Sequence, residues 1–76
     1  MTLKRPQNPM PDFVAAALQN ERLEQAYASR PPYQRNDYLG WISRAKREET
    51  KTKRLNQMLE ELRAGNAYMG MDWKGR

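Results

Sequence analysis

The chain of 76 residues contains no cysteine and no histidine. The first absence excludes a disulfide, a thiolate nucleophile and sulfur ligation of a metal. The second removes the commonest general base near neutral pH and the commonest metal ligand. A zinc site would have to be built from carboxylates alone, which is unusual for zinc, so neither a metal nor a cofactor is expected. Long hydrophobic runs are missing as well, and none approaches the roughly 20 apolar residues that cross a bilayer. The amino-terminal MTLKRPQNPMPD has no apolar stretch of signal-peptide length, and Pro6, Pro9 and Pro11 interrupt any helix there. Cytoplasm is the expected location. A chain this short forms at most one domain and buries only roughly 60% of its unfolded surface, so its stability is expected to be modest.

Positive charge and helical periodicity are what the chain does have. Fourteen Lys and Arg oppose nine Asp and Glu, for a net charge of +5. That excess serves solubility and also attracts acidic proteins, nucleic acid or anionic lipid. Residues 1–10 read as a disordered tail and 11–65 as a helical domain. A first short helix is expected from Asp12, as N-cap, to about Gln19, with Phe13, Ala16 and Ala17 in one apolar row and Val14 and Leu18 in a second. A second is expected from about Glu21 to Ser29, with Leu23, Ala26 and Tyr27 at i, i+3, i+4 and Pro31-Pro32 ending it.

The third helix should start at about Pro32, where proline lacks only an N–H that would have no helical partner anyway, and run to about Lys46. Its stripe is Tyr38, Trp41, Ile42 and Ala45, with Leu39 and Arg35 on one flank, an arc wide enough to meet more than one neighbour. Gly40 either admits a close approach or is a tolerated surface glycine. A tight break is expected at Lys46-Arg47-Glu48. The fourth helix then runs from about Glu48 to Ala64, with Leu55, Met58, Leu59 and Leu62 as its stripe and Gly65-Asn66 as its left-handed stop. Residues 66–76, with Trp73 between glycines, read as a flexible tail. The fold class is therefore all-α: a small bundle of four helices, two short and then two longer, with disordered termini.

The core is assigned to Phe13, Leu23, Tyr27, Tyr38, Trp41, Ile42, Leu55, Met58, Leu59 and Leu62. Around the junction of the third and fourth helices gather Arg35, Arg44, Lys46, Arg47, Lys51, Lys53 and Arg54. With Thr50 and the free amides of the fourth helix's first turn, they form a candidate site for an anion or a partner's carboxylate. Helical counting places Lys51 beside the apolar stripe, where it either pins the junction through a helix-end carbonyl or Asp37, or receives an anion. Leu39 is the candidate exposed apolar contact. Glu48-Glu49 and Glu60-Glu61 point about 100° apart within each pair, so they do not converge on a substrate and read as solvated faces. No catalytic constellation is present, and the chain is not expected to be an enzyme.

The run Pro31-Pro32, Arg35, Tyr38-Leu39, Trp41-Ile42, Ala45-Lys46, Glu49-Thr50-Lys51 and Lys53-Arg54-Leu55, closing with Leu62 and Gly65, resembles the bacteriocin-protection, YdeI or OmpD-associated family. Tyr33 stands where that family often has Ser, Glu48 where it often has Pro, and Lys51 where it often has Arg. The resemblance implies a small helical domain and a role in tolerance to bacteriocins and envelope stress, and it implies no reaction. The leading expectation is a non-catalytic module that binds a protein partner. The alternative is a nucleic-acid-binding protein that uses the basic junction, although its cations are spread over two helices. Membrane association is the weakest reading, because a small domain needs its amphipathic stripe for its own core.

Overall fold

The computed structural model describes residues 8–72. The expectations for Pro6 and Trp73 lie outside that range. Four helices follow in order, α1 (Asp12–Asn20), α2 (Glu24–Ala28), α3 (Pro32–Ser43) and α4 (Glu48–Ala64), and then two short strands, β1 (Ala67–Tyr68) and β2 (Met71–Asp72). The chain is mostly helical, as its periodicity predicts, with an antiparallel hairpin added.

Helix α1 is entered from Pro11, whose carbonyl accepts the amides of Val14 and Ala15 at 3.1 Å each. Asp12 is thus the first helical residue and not the cap, and the N-cap residue Pro11 makes no side-chain cap. The helix closes in a Schellman motif. The Leu23 amide returns to the Leu18 carbonyl at 2.9 Å and the Arg22 amide to Gln19 at 3.1 Å, with Arg22 left-handed at φ 58°. This turn occupies residues 21–23, so α2 begins at Glu24 and not at Glu21 as the periodicity suggests. It also draws Leu18 and Leu23 into the core together, the apolar contact that accompanies this motif.

The Schellman turn fixes which row of α1 faces inward. Val14 and Leu18 are buried, while Phe13, assigned to the core from its spacing, is 43% exposed. Only one of two rows about 100° apart can face a neighbour. The remaining core is contiguous: Leu23, Tyr27, Tyr38, Leu39, Ile42, Met58, Leu59 and Leu62, with Trp41 and Leu55 partly buried against it. Burying each large apolar side chain contributes about 1.5–3 kcal/mol. Leu39, expected to be exposed, is 6% exposed, because it belongs to the continuous core with Tyr27, and Tyr27 and Asn8 lie beside it.

Helix α3 begins at Pro32 as expected, and the Pro31 carbonyl accepts the amides of Gln34 and Arg35. It ends at Ser43, three residues before the expected limit, where the Ala45 amide turns back to Ile42 at 3.2 Å in a tighter geometry. Gly40 is buried, and a Cβ there would lie 2.8 Å from Asn8 Nδ2. The close approach is made by the amino-terminal segment and not by another helix. The Asn8 amide donates to Asn36 Oδ1 at 2.7 Å, and Asn8 Nδ2 donates to the Asn36 carbonyl at 3.0 Å. At Asn8, then, the segment expected to be disordered is tied to α3.

Helix α4 runs from Glu48 to Ala64, as expected, and ends on Gly65 at φ 83°. The chain beyond, expected to be a flexible tail, folds back as far as residue 72. Tyr68 pairs with Met71 and Ala67 with Asp72. The loop residues Met69 and Gly70 have φ of 53° and 80°, the two positive values that a type I′ turn requires.

Candidate interaction surface

The break between α3 and α4 is held by Arg54. The last carbonyls of any helix lack helical partners, and that of Trp41 receives Arg54 Nη1 at 2.6 Å. The same guanidinium lies 5.4 Å from the centre of the Trp41 ring, within the range of a cation–π contact. Arg54 therefore does the pinning that is one of the two roles helical counting leaves open to Lys51. Lys51 and Thr50 are half-buried on the first turns of α4.

The other cations of the junction point outward. Arg44, Lys46, Arg47 and Lys53 are exposed. Arg47 meets Glu49 at 3.7 Å with both side chains nearly four-fifths exposed, a pairing that contributes little in water. Among the described residues Arg44, Lys46 and Lys53 have no ion pair. The expected set therefore divides: Arg54 is structural, Arg44, Lys46 and Arg47 are exposed at the break, Lys53 is exposed on a cleft that it shares with Gln57, Glu60 and Glu61, and Arg35 lies elsewhere.

Arg35 sits in the first half of α3, on a cleft of about 210 Å³ lined by Asn8, Tyr27, Pro32, Asn36 and Leu39. Its side chain is half-buried, and its Nε is buried with no acceptor among the described residues. A buried donor left unmatched costs about 1–3 kcal/mol. The Tyr27 hydroxyl reaches only the Arg35 carbonyl, at 3.5 Å, the outer limit of a hydrogen bond. Burial raises the Tyr27 pKa and the Arg35 charge opposes it, with burial prevailing. The phenol therefore remains a donor at neutral pH.

Two further groups escape a reading of the sequence. Glu61, read as part of a solvated face, is 7% exposed. Its carboxylate accepts the Tyr38 hydroxyl at 2.5 Å, Gln57 Nε2 at 3.0 Å, and the amides of Met69 at 2.8 Å and Gly70 at 2.7 Å. Burial alone would raise its pKa, but the bonds from Tyr38, Gly70, Met69 and Gln57 outweigh burial and hold it below the ordinary value. Tyr38 moves upward, through burial and then through its bond to that carboxylate. Arg30, 4% exposed, donates from Nη1 to Gln34 Oε1 at 3.0 Å and from Nη2 to the Glu61 carbonyl at 2.9 Å. The signal for Glu61 was available, since it lies three residues after Met58 and thus on the buried stripe. Arg30 gave no such signal beside Pro31-Pro32. Both groups hold the fold together.

The hairpin is fixed by the same network. The Tyr68 hydroxyl donates to Asp37 Oδ2 at 2.7 Å, and its ring stands edge-on to Tyr38 at 5.4 Å and to Tyr33 at 5.9 Å. Such pairs add about 0.5–1.5 kcal/mol beyond burial. No described helix is long and apolar enough to cross a membrane.

Residues 9–65 match the family model described as bacteriocin-protection, YdeI or OmpD-associated. No curated protein and no solved structure is significantly similar to the chain.

Proposed function

The chain belongs to the bacteriocin-protection, YdeI or OmpD-associated family, and from that premise we propose that it is a non-catalytic interaction module. It binds the acidic surface of a protein partner through the α3–α4 break, in the setting of bacteriocin protection. The observation that carries the reading is the division of the junction cations. Arg54 is committed to the Trp41 carbonyl, whereas Arg44, Lys46, Arg47 and Lys53 are exposed and, among the described residues, only Arg47 meets an acid. Exposed cations without an acid partner speed encounter with a negative partner and set its orientation more than they add raw affinity.

The test is capture of partners from lysate with the wild-type chain and with Arg47→Glu/Lys53→Glu. Both side chains are exposed, so the fold should change by no more than about 0.5 kcal/mol. Partners lost with the charge reversal, and recovered less well in added salt, are the expected result. Equal recovery by the two proteins counts against the proposal. A labelled DNA duplex retarded at low salt and released at moderate salt would instead assign the surface to nucleic acid.

A further inference from the structure

We propose that the cleft between α2 and the first half of α3 is a second site, separate from the basic break, and that it binds a carboxylate group through Arg35 and Tyr27. Donors of two residues that line the cleft, Arg35 and Tyr27, carry the assignment. Arg35 Nε is buried without an acceptor among the described residues, and its guanidinium makes no ion pair there. The Tyr27 hydroxyl has only a 3.5 Å contact with the Arg35 carbonyl, so it can turn to a better acceptor. Asn8 Nδ2 is already committed to Asn36.

Two side chains with donors to spare match a group with two acceptor oxygens, and a guanidinium edge matches the planar carboxylate in particular. A phosphate would leave further oxygens without a donor. The remaining wall is Pro32 and Leu39, which suits the methylene carbons behind a carboxylate. A space of about 210 Å³ admits one such group and little more. This site would therefore take the end of an acidic side chain or a small free carboxylic acid.

The experiment follows the arginine Nε–H resonances and backbone amides of the labelled full chain at pH 7. Sodium acetate is titrated in, with sodium chloride at matched ionic strength and sodium phosphate as parallel arms. The expected result is saturable movement of the Arg35 Nε–H signal with acetate and none with chloride. Arg35→Gln should abolish saturation, and Tyr27→Phe should weaken apparent binding by roughly three- to tenfold, the worth of one hydrogen bond. Arg47→Glu/Lys53→Glu should retain the acetate response, which separates this site from the basic break. An Arg35 signal that moves no differently in acetate than in chloride overturns the proposal. Saturation by phosphate alone overturns the carboxylate assignment. If Arg35→Gln fails to fold, the wild-type and Tyr27→Phe titrations still decide.

Discussion

Glu61 carries a charge into the interior and is kept charged there by four donors, two of them main-chain amides of one turn. Glu61→Gln would set an amide –NH2 against one of those N–H groups. We expect a loss of about 1–3 kcal/mol, read as a fall in melting temperature of about 4–8 °C per kcal/mol for a chain of this size. The folded pKa lies below the ordinary 4.5. The carboxylate's contribution is therefore complete above the unfolded pKa and is lost as pH falls through the folded one. Denaturant melts across that acid range should show the wild type weakening and Glu61→Gln changing less. Arg22 is a second residue with a definite expectation. Its left-handed φ of 58° costs a side chain about 1–2 kcal/mol. Glycine removes that strain but returns about 0.4–1 kcal/mol through a looser unfolded chain. Arg22→Gly should thus stabilise by about 0.5–1 kcal/mol, measurable as a higher denaturation midpoint at unchanged slope.

At the scale of elements, α4 was legible from end to end. Its stripe has four members, acids begin it, and Gly65 stops it, so local propensity and tertiary packing agree. The limits of α2 were not legible, because the turn before it places an arginine where glycine is usual and nothing in the residue type announces φ 58°. The hairpin was hidden for a related reason. Strands of two residues have no period, and Met69-Gly70 lacks the Asn-Gly signature of a type I′ turn. Part of the candidate surface was legible too, since proximity in sequence brought the junction cations together. Whether Arg54 or Lys51 reaches the Trp41 carbonyl depends on side-chain reach, which helical counting does not resolve. Gly40 tests the contact between the amino-terminal segment and α3. In Gly40→Ala a gain of about 1 kcal/mol in helix propensity opposes displacement of Asn8, whose Nδ2 would lie 2.8 Å from the new Cβ. We expect overall stability to change little while the Asn8 amide loses its protection from hydrogen exchange.

For the molecule as a whole, the core is continuous from Val14 to Leu62, while the hairpin lies at its edge, with β2 exposed. Native-state hydrogen exchange should accordingly resolve two levels. Amides in the middle of α3 and the second half of α4 should exchange only with global unfolding. Those of Met69 and Gly70 should exchange through a smaller opening that becomes easier as Glu61 is protonated. Equal opening free energies for the two sets would argue against a separable hairpin. The anchors of that hairpin also have a consequence in time. Asp37 and Tyr38 come from α3 and Glu61 from α4, so its landing surface exists only after those helices have met. We therefore expect docking to be a late event on the folding path, with hairpin contacts absent from the transition state. Tyr68→Ala should leave the refolding rate nearly unchanged and accelerate unfolding by nearly its full effect on stability. The last six residues of the described chain would then govern how long the native state lasts and have almost no influence on how quickly it is reached.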